Sequence, residues 1–150
     1  MSWEERIAWV SGVVTVLAAL WYGWAIRDVF EPVPVDQIVY RTPLIVAVVA
    51  MIVGNVAGAI VLAVGAAIRA EVTGVGAANA IDRKDERDAR IDARCDRVGF
   101  YVVATATVCV LGMAMLESPY FWIANAAFAG LVVSGLVSTV VKLVAYRRGF

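Results

Sequence analysis

Four stretches of this chain, 7–26, 44–68, 98–116 and 121–141, contain no charged side chain. Each is close to or beyond the roughly 20 residues that carry a helix across the hydrocarbon core of a bilayer. Lipid offers no partner to an exposed N–H or C=O, so a stretch that crosses it must satisfy its backbone internally. The runs are continuous rather than alternating, which selects helices over barrel strands. This pattern predicts an all-α integral membrane protein built as a four-transmembrane-helix bundle, in a single domain over residues 1–150.

Composition says the same from the other direction. Hydrophobic residues make up 62% of the chain and charged residues 17%, with a mean hydropathy of +0.81. A soluble domain is about half apolar and about a quarter charged. A chain of 150 residues buries too little of its surface to hide the excess from water. A soluble enzyme, a disordered regulator and a secreted disulfide scaffold are all poor fits.

Thirteen basic residues balance thirteen acidic ones, so the chain as a whole exerts no pull on nucleic acid. There is no histidine, which removes the commonest general base and metal ligand and most zinc and haem ligation. All thirteen acidic residues lie outside the four runs, and there is no nucleophile motif or metal-ligand spacing. No enzymatic activity, cofactor or metal is expected. Cys95 and Cys109 are 14 residues apart, about 21 Å along one helix, too far for a disulfide. Both are read as structural, with Cys95 on the cytoplasmic side as a reporter of neighbouring chains.

Lysine and arginine set the direction of insertion. Arg6, the segment between the second and third runs (Arg69, Arg83, Lys84, Arg87, Arg90, Arg94, Arg97) and the C-terminal Lys142, Arg147 and Arg148 share one side; only Arg27 and Arg41 lie on the other. Eleven against two predicts both termini in the cytoplasm. Trp21, Tyr22, Trp24, Tyr40, Tyr120, Phe121 and Trp122 gather at the outer ends and Trp3, Trp9, Phe100, Tyr101 and Tyr146 at the inner ends, as headgroup-level anchors do. The acidic and basic residues Glu4, Glu5 and Arg6 before the first run do not make the basic flank of a signal peptide.

Pro32, Pro34 and Pro43 stiffen the outer connection, with Pro43 suited to the first turn of the second helix. Residues 117–120 are short enough to force an antiparallel hairpin. The glycine-bearing stretch 71–79 is expected to be a flexible joint; its Gly74-Val75-Gly76 lacks the rest of a phosphate-binding loop.

A weak repeat relates the two halves. Glu5-Arg6-Ile7-Ala8-Trp9 and Asp96-Arg97-Val98-Gly99-Phe100 both read acid, arginine, β-branched, small, aromatic, and Pro43, Gly54 and Gly58 align at one offset with Pro119, Gly130 and Ser134. It predicts two parallel helical hairpins about a pseudo-twofold axis along the membrane normal.

Between helices in lipid, small residues that let backbones approach matter more than apolar ones. Gly54, Asn55 and Gly58 in the second run, and Ala126, Gly130, Ser134 and Ser138 in the fourth, are the predicted packing residues, with Ser11, Thr15, Ala19 and Gly23 as a ladder in the first. They pack the four helices together, or in a sharper reading form a homodimer face. Asn55, Asn125, Thr105 and Thr107 are read as polar links between helices rather than a permeation path.

Residues 82–97 carry no Gly or Pro and run into the third apolar stretch, which predicts one helix from about residue 80 to 116, charged over about 80–97. At 100° per residue, Arg83, Arg87, Arg90, Arg94 and Arg97 fall between about 60° and 140°, while Asp82, Asp85, Asp88, Asp92 and Asp96 fall between about 240° and 360°. Like charges therefore stand four apart, each such pair costing a few tenths of a kcal/mol in an isolated helix. A neighbour that meets each stripe with the opposite sign relieves that cost. Asp85, Glu86, Arg87, Asp88, Arg90, Asp92, Arg94, Asp96 and Arg97 are accordingly the candidate partner-binding residues. The alternative is a solvated extension whose arginines touch anionic headgroups.

The Asp85-Glu86-Arg87-Asp88 run, with Ile91-Asp92, Arg94 and Asp96-Arg97 leading into Gly99-Phe100-Tyr101, resembles an uncharacterised family of small prokaryotic four-span membrane proteins in which a cytoplasmic Asp-Glu-Arg-Asp segment precedes a transmembrane pair. The likeness covers about residues 82–101 and the four-span layout. It implies a bacterial or archaeal inner-membrane location and no particular chemistry.

The function expected from these features is that of a non-enzymatic membrane scaffold or regulatory protein. It would act as a homodimer or other homo-oligomer, or through a cytoplasmic protein partner, by way of the charged helix. A small dimeric transporter or channel with an uncharged polar pathway is the alternative. Membrane lipid is an expected partner and nucleic acid is not.

Overall fold

The computed structural model describes residues 3–27, 38–73 and 86–148, with side chains described over 5–27, 38–68 and 91–147. They form four helices: α1 (Trp3–Ala25), α2 (Arg41–Thr73), α3 (Glu86–Met115) and α4 (Tyr120–Arg148). Each contains a stretch long and apolar enough to cross a membrane. α2 stays helical through Thr73, so residues 71–73 of the expected joint are helix; 74–79 lie outside the described residues, as do 80–85 of the charged segment.

Neighbours along the row are α2 on α1, α1 on α4, and α4 on α3. Gly54 and Gly58 of α2 meet Val14 and Val10 of α1; Gly12 and Thr15 of α1 meet Thr139 and Gly135 of α4; Gly130 and Ser138 of α4 meet Ala106 and Gly99 of α3. In every pair one number rises as the other falls, so all three contacts are antiparallel. α1 is the most enclosed helix, with 28% of its membrane-length stretch buried against 6% in α2, 6% in α3 and 11% in α4. A twofold relation between the hairpins would pack α2 against α3 as α1 packs against α4. No α2–α3 contact as extensive as that between α1 and α4 exists among the described residues, so the predicted axis does not close within one chain.

The buried stripe of α1 is Ala8, Gly12, Thr15, Ala18 and Tyr22, not the ladder Ser11, Thr15, Ala19 and Gly23. A strict four-residue step turns about 40° too far each time, and Gly23 ends facing open space. Tyr22, Ala47 and Phe128 form a small core where α1, α2 and α4 meet, flanked by Leu44, Val48 and Met51. Tyr22 and Phe121 are each only 4% exposed. They serve packing, with Tyr22 edge-on to Phe128 at 4.9 Å and Tyr40 edge-on to Phe121 at 5.1 Å, rather than the headgroup role expected of them. Trp21, Trp24, Tyr120 and Trp122 remain exposed, and Arg27 lies over the Trp24 ring at 4.9 Å.

The α3–α4 turn is tight because of its hydrogen bonds. Ser118 N–H donates to Met113 O at 3.0 Å and Glu117 N–H to Ala114 O at 3.1 Å, the paired bonds of a Schellman cap. The cap places Glu117 in the left-handed region at φ 52°. Pro119 follows, and its carbonyl accepts from Trp122 N–H at 2.9 Å to begin α4.

Candidate partner interface on the third helix

Helix α3 begins in charge and ends in apolar residues, and the structure fixes how the charged end is held. Ile91, Cys95 and Gly99, four residues apart, are all buried and form a seam against α4. Ser134 Oγ donates to Gly99 O at 2.8 Å and Ser138 Oγ to Cys95 O at 3.4 Å. A Cβ on Gly99 would collide with the Ser138 hydroxyl, so glycine there is what lets the two backbones approach. The predicted packing residues Gly130, Ser134 and Ser138 all meet α3, while Ala126 lines the groove beside that contact.

Asp92 sits on the margin of this seam, and its Oδ1 lies 2.8 Å from Lys142 Nζ, both side chains about four-fifths buried. One member of the acidic stripe is thus neutralised inside the chain. The charge patterning on α3 missed this because Lys142 comes from another helix. The seam itself had a signal: Ile91 and Cys95 are an apolar pair at helical spacing within an otherwise charged segment.

Arg94, Asp96 and Arg97 are exposed on the remaining sides of the same two turns. Glu86, Arg87, Asp88 and Arg90 lie on the first turns of α3; their side chains, and Asp85 altogether, are outside the described residues. The described part of the candidate interface is therefore a short charged surface clamped to α4 through its opposite side. Cys95 is buried and Cys109 exposed, so the Cys95 thiol packs within the chain, which makes it a poor reporter of a neighbouring chain.

The polar residues inside the apolar stretches mostly serve their own helices. Asn55 Nδ2 donates to Met51 O at 2.7 Å, Thr105 Oγ1 to Tyr101 O at 2.9 Å and Thr107 Oγ1 to Val103 O at 2.8 Å. The predicted interhelical links are thus replaced at these three by bonds one turn back, which satisfy a polar group in an apolar setting without a neighbour. Asn125 does both, donating to Phe121 O and accepting from the Tyr22 hydroxyl, each at 2.8 Å.

A groove of about 510 Å³ runs between α3 and α4, lined by Tyr101, Thr105 and Cys109 on one side and Ala126, Gly130 and Val133 on the other. It is open and almost wholly apolar. No cluster of three or more potential metal ligands exists among the described residues.

Comparisons with protein-family models, curated proteins and solved structures find no match.

Proposed function

We propose that this chain is a multi-pass membrane protein of a prokaryotic inner membrane, with both termini in the cytoplasm. It acts as a non-enzymatic scaffold or regulatory protein by presenting the charged end of α3 to a protein partner. The membrane reading is supported by the four apolar helices and by their unburied faces. Ile45, Ile52, Val61, Val108 and Leu111 are each more than half exposed, far more apolar surface than a water-soluble monomer displays. The direction rests on the uneven distribution of lysine and arginine. The resemblance of residues 82–101 to small four-span prokaryotic proteins agrees with the location.

The observation that carries the partner reading is the two-sided character of α3 at 91–97. One side is locked to α4 by Ile91, Cys95 and the Asp92–Lys142 pair, while Arg94, Asp96 and Arg97 stand exposed. Exposed charges held on a fixed backbone give register and selectivity to a contact even where each pair contributes only about 0–1 kcal/mol.

The test is a photo-crosslinking residue placed at Asp96 in living cells, with Val108 as a control inside the apolar stretch. A discrete protein adduct at Asp96, lost when Arg94→Glu and Arg97→Glu are added, is the expected result. Adducts with lipid alone would remove the partner. Sustained ion or drug leak from liposomes carrying the purified protein would replace this reading with a transport one.

A further inference from the structure

We propose that a second copy of this chain packs its α2 against the uncovered side of α3, and its α3 against α2 of the first. Two copies thereby close a ring of four hairpins. This rests on the membrane-spanning part of the reading above and is independent of whether Arg94, Asp96 and Arg97 recruit a partner.

The two hairpins share a glycine contact between their helices. Gly54 lies against Val14 in the first and Gly130 against Ala106 in the second. Gly54 to Gly130 is a step of 76, the offset already given by Pro43 and Pro119; Val14 to Ala106 is a step of 92. The acid–arginine repeat at Glu5 and Asp96 gives 91 for the same two helices, one residue short of this contact. At the step of 92, Thr15, whose Oγ1 donates to Ser11 O at 2.8 Å, falls on Thr107, whose Oγ1 donates to Val103 O at 2.8 Å, a bond that Thr105 also makes to Tyr101 O. On the step set by the glycine contacts, α1 and α3 are corresponding members of the two hairpins, as are α2 and α4.

The equivalence is broken in one respect. Among the described residues α1 packs extensively on both its hairpin partner, α2, and a second helix, α4, whereas α3 packs extensively on its hairpin partner alone. Carrying the α1–α4 contacts forward by these steps specifies what the missing contact contains. Gly12–Thr139 becomes Ala104 with Ala63 of a second copy. Thr15–Gly135 becomes Thr107 with Ala59, and Tyr22–Phe128 becomes Ala114 with Ile52.

These positions have the properties the contact requires. Thr107 and Ala114 are exposed on α3, as are Ile52 and Ala59 on α2, and Ala104 and Ala63 are half-buried. Toward the cytoplasmic end both sides are small, as Gly12, Thr15, Gly135 and Thr139 are in the contact already formed. A surface that meets only lipid has no need of small residues on both sides, whereas close backbone approach does. Around a twofold axis along the membrane normal, α3 and the second copy's α2 run antiparallel, as α1 and α4 do. Two copies form the smallest closed ring and have the commonest symmetry.

The test uses a chain with Cys95→Ala and Cys109→Ala carrying both Thr107→Cys and Ala59→Cys, oxidised in native membranes with copper phenanthroline. Thr105→Cys with Ala57→Cys, on other faces of the same helices, is the control. A covalent dimer with no higher rungs is expected, absent from the control. It should form equally when the two cysteines are on separately tagged chains. A disulfide within the monomer, a ladder beyond the dimer, an equal yield from the control, or no product from thiols that still label with maleimide after solubilisation would each overturn the proposal. Recruitment at Asp96 is read separately, so either idea can fail alone.

Discussion

The hydroxyl of Tyr22 donates to Oδ1 of Asn125 at 2.8 Å and ties α1 to α4 across 103 positions of sequence. Asn125 in turn donates its amide to Phe121 O, which fixes which end of the amide faces Tyr22. Removing the hydroxyl with Tyr22→Phe keeps the ring against Phe128 and leaves Oδ1 without its donor. The expected cost is about 1 kcal/mol, in the range of hydrogen bonds between helices in lipid. It is measurable as a shift in the SDS titration of protein folded in mild detergent. Adding Asn125→Leu should recover part of that loss, because an apolar pair leaves nothing unsatisfied. No loss from Tyr22→Phe would mean the bond contributes nothing.

The Asp92–Lys142 pair is mostly out of water, so each charge depends on the other more than exposed partners do. Lys142→Met or Asp92→Asn alone should destabilise the α3–α4 contact by about 1–3 kcal/mol, between the values for exposed and fully buried pairs. The exchange Asp92→Lys with Lys142→Asp should restore much of it. An exchange no better than the single changes would show that shape rather than charge holds the site.

Three glycines separate close approach from empty space. A Cβ on Gly130 would collide with Ala106 Cβ, which has no torsion by which to yield, so the helices must part. Gly130→Ala should cost about 1–3 kcal/mol, as overpacking does. On Gly54 the new atom would lie 2.8 Å from Val14 Cγ1, a side chain able to rotate at some expense, and the loss should be smaller. Gly112 has nothing within 4 Å; there alanine should stabilise by about 0.5–1 kcal/mol through the helix backbone alone. The predicted order of stability is Gly112→Ala, then Gly54→Ala, then Gly130→Ala, and a reversal at either end would contradict these contacts.

The helices and their α3–α4 turn were legible because length, hydropathy and Pro119 act locally. The residues of α4 that meet α3 were also legible, since Gly130, Ser134 and Ser138 repeat at helical spacing. Facing choices were not. Ser11 and Gly23 have the composition of a packing ladder, yet accumulated rotation carries that row away from α4, and Gly12 takes the place beside Thr139. Tyr22 has the composition of a headgroup anchor, and only the presence of Asn125 and Phe128 on another helix turns it inward. In the charged segment the striping was readable, but Lys142, which settles Asp92, is 50 residues away. What a sequence pattern misses here is the identity of the partner across a helix contact.

Glu117 is the one non-glycine residue with positive φ among the described residues, imposed by the Schellman bonds that end α3. A side chain there meets the steric cost of the left-handed region, which glycine avoids. Glu117→Gly should therefore stabilise the protein by about 0.5 kcal/mol, the relief being partly offset by the greater freedom of glycine in the unfolded chain. Glu117→Val, β-branched at the same φ, should destabilise by more than 1 kcal/mol. The two changes move stability in opposite directions, so the SDS midpoint of each against the parent is a sufficient test. If both variants lost stability equally, the Glu117 carboxylate, rather than its backbone, would be what matters at this turn.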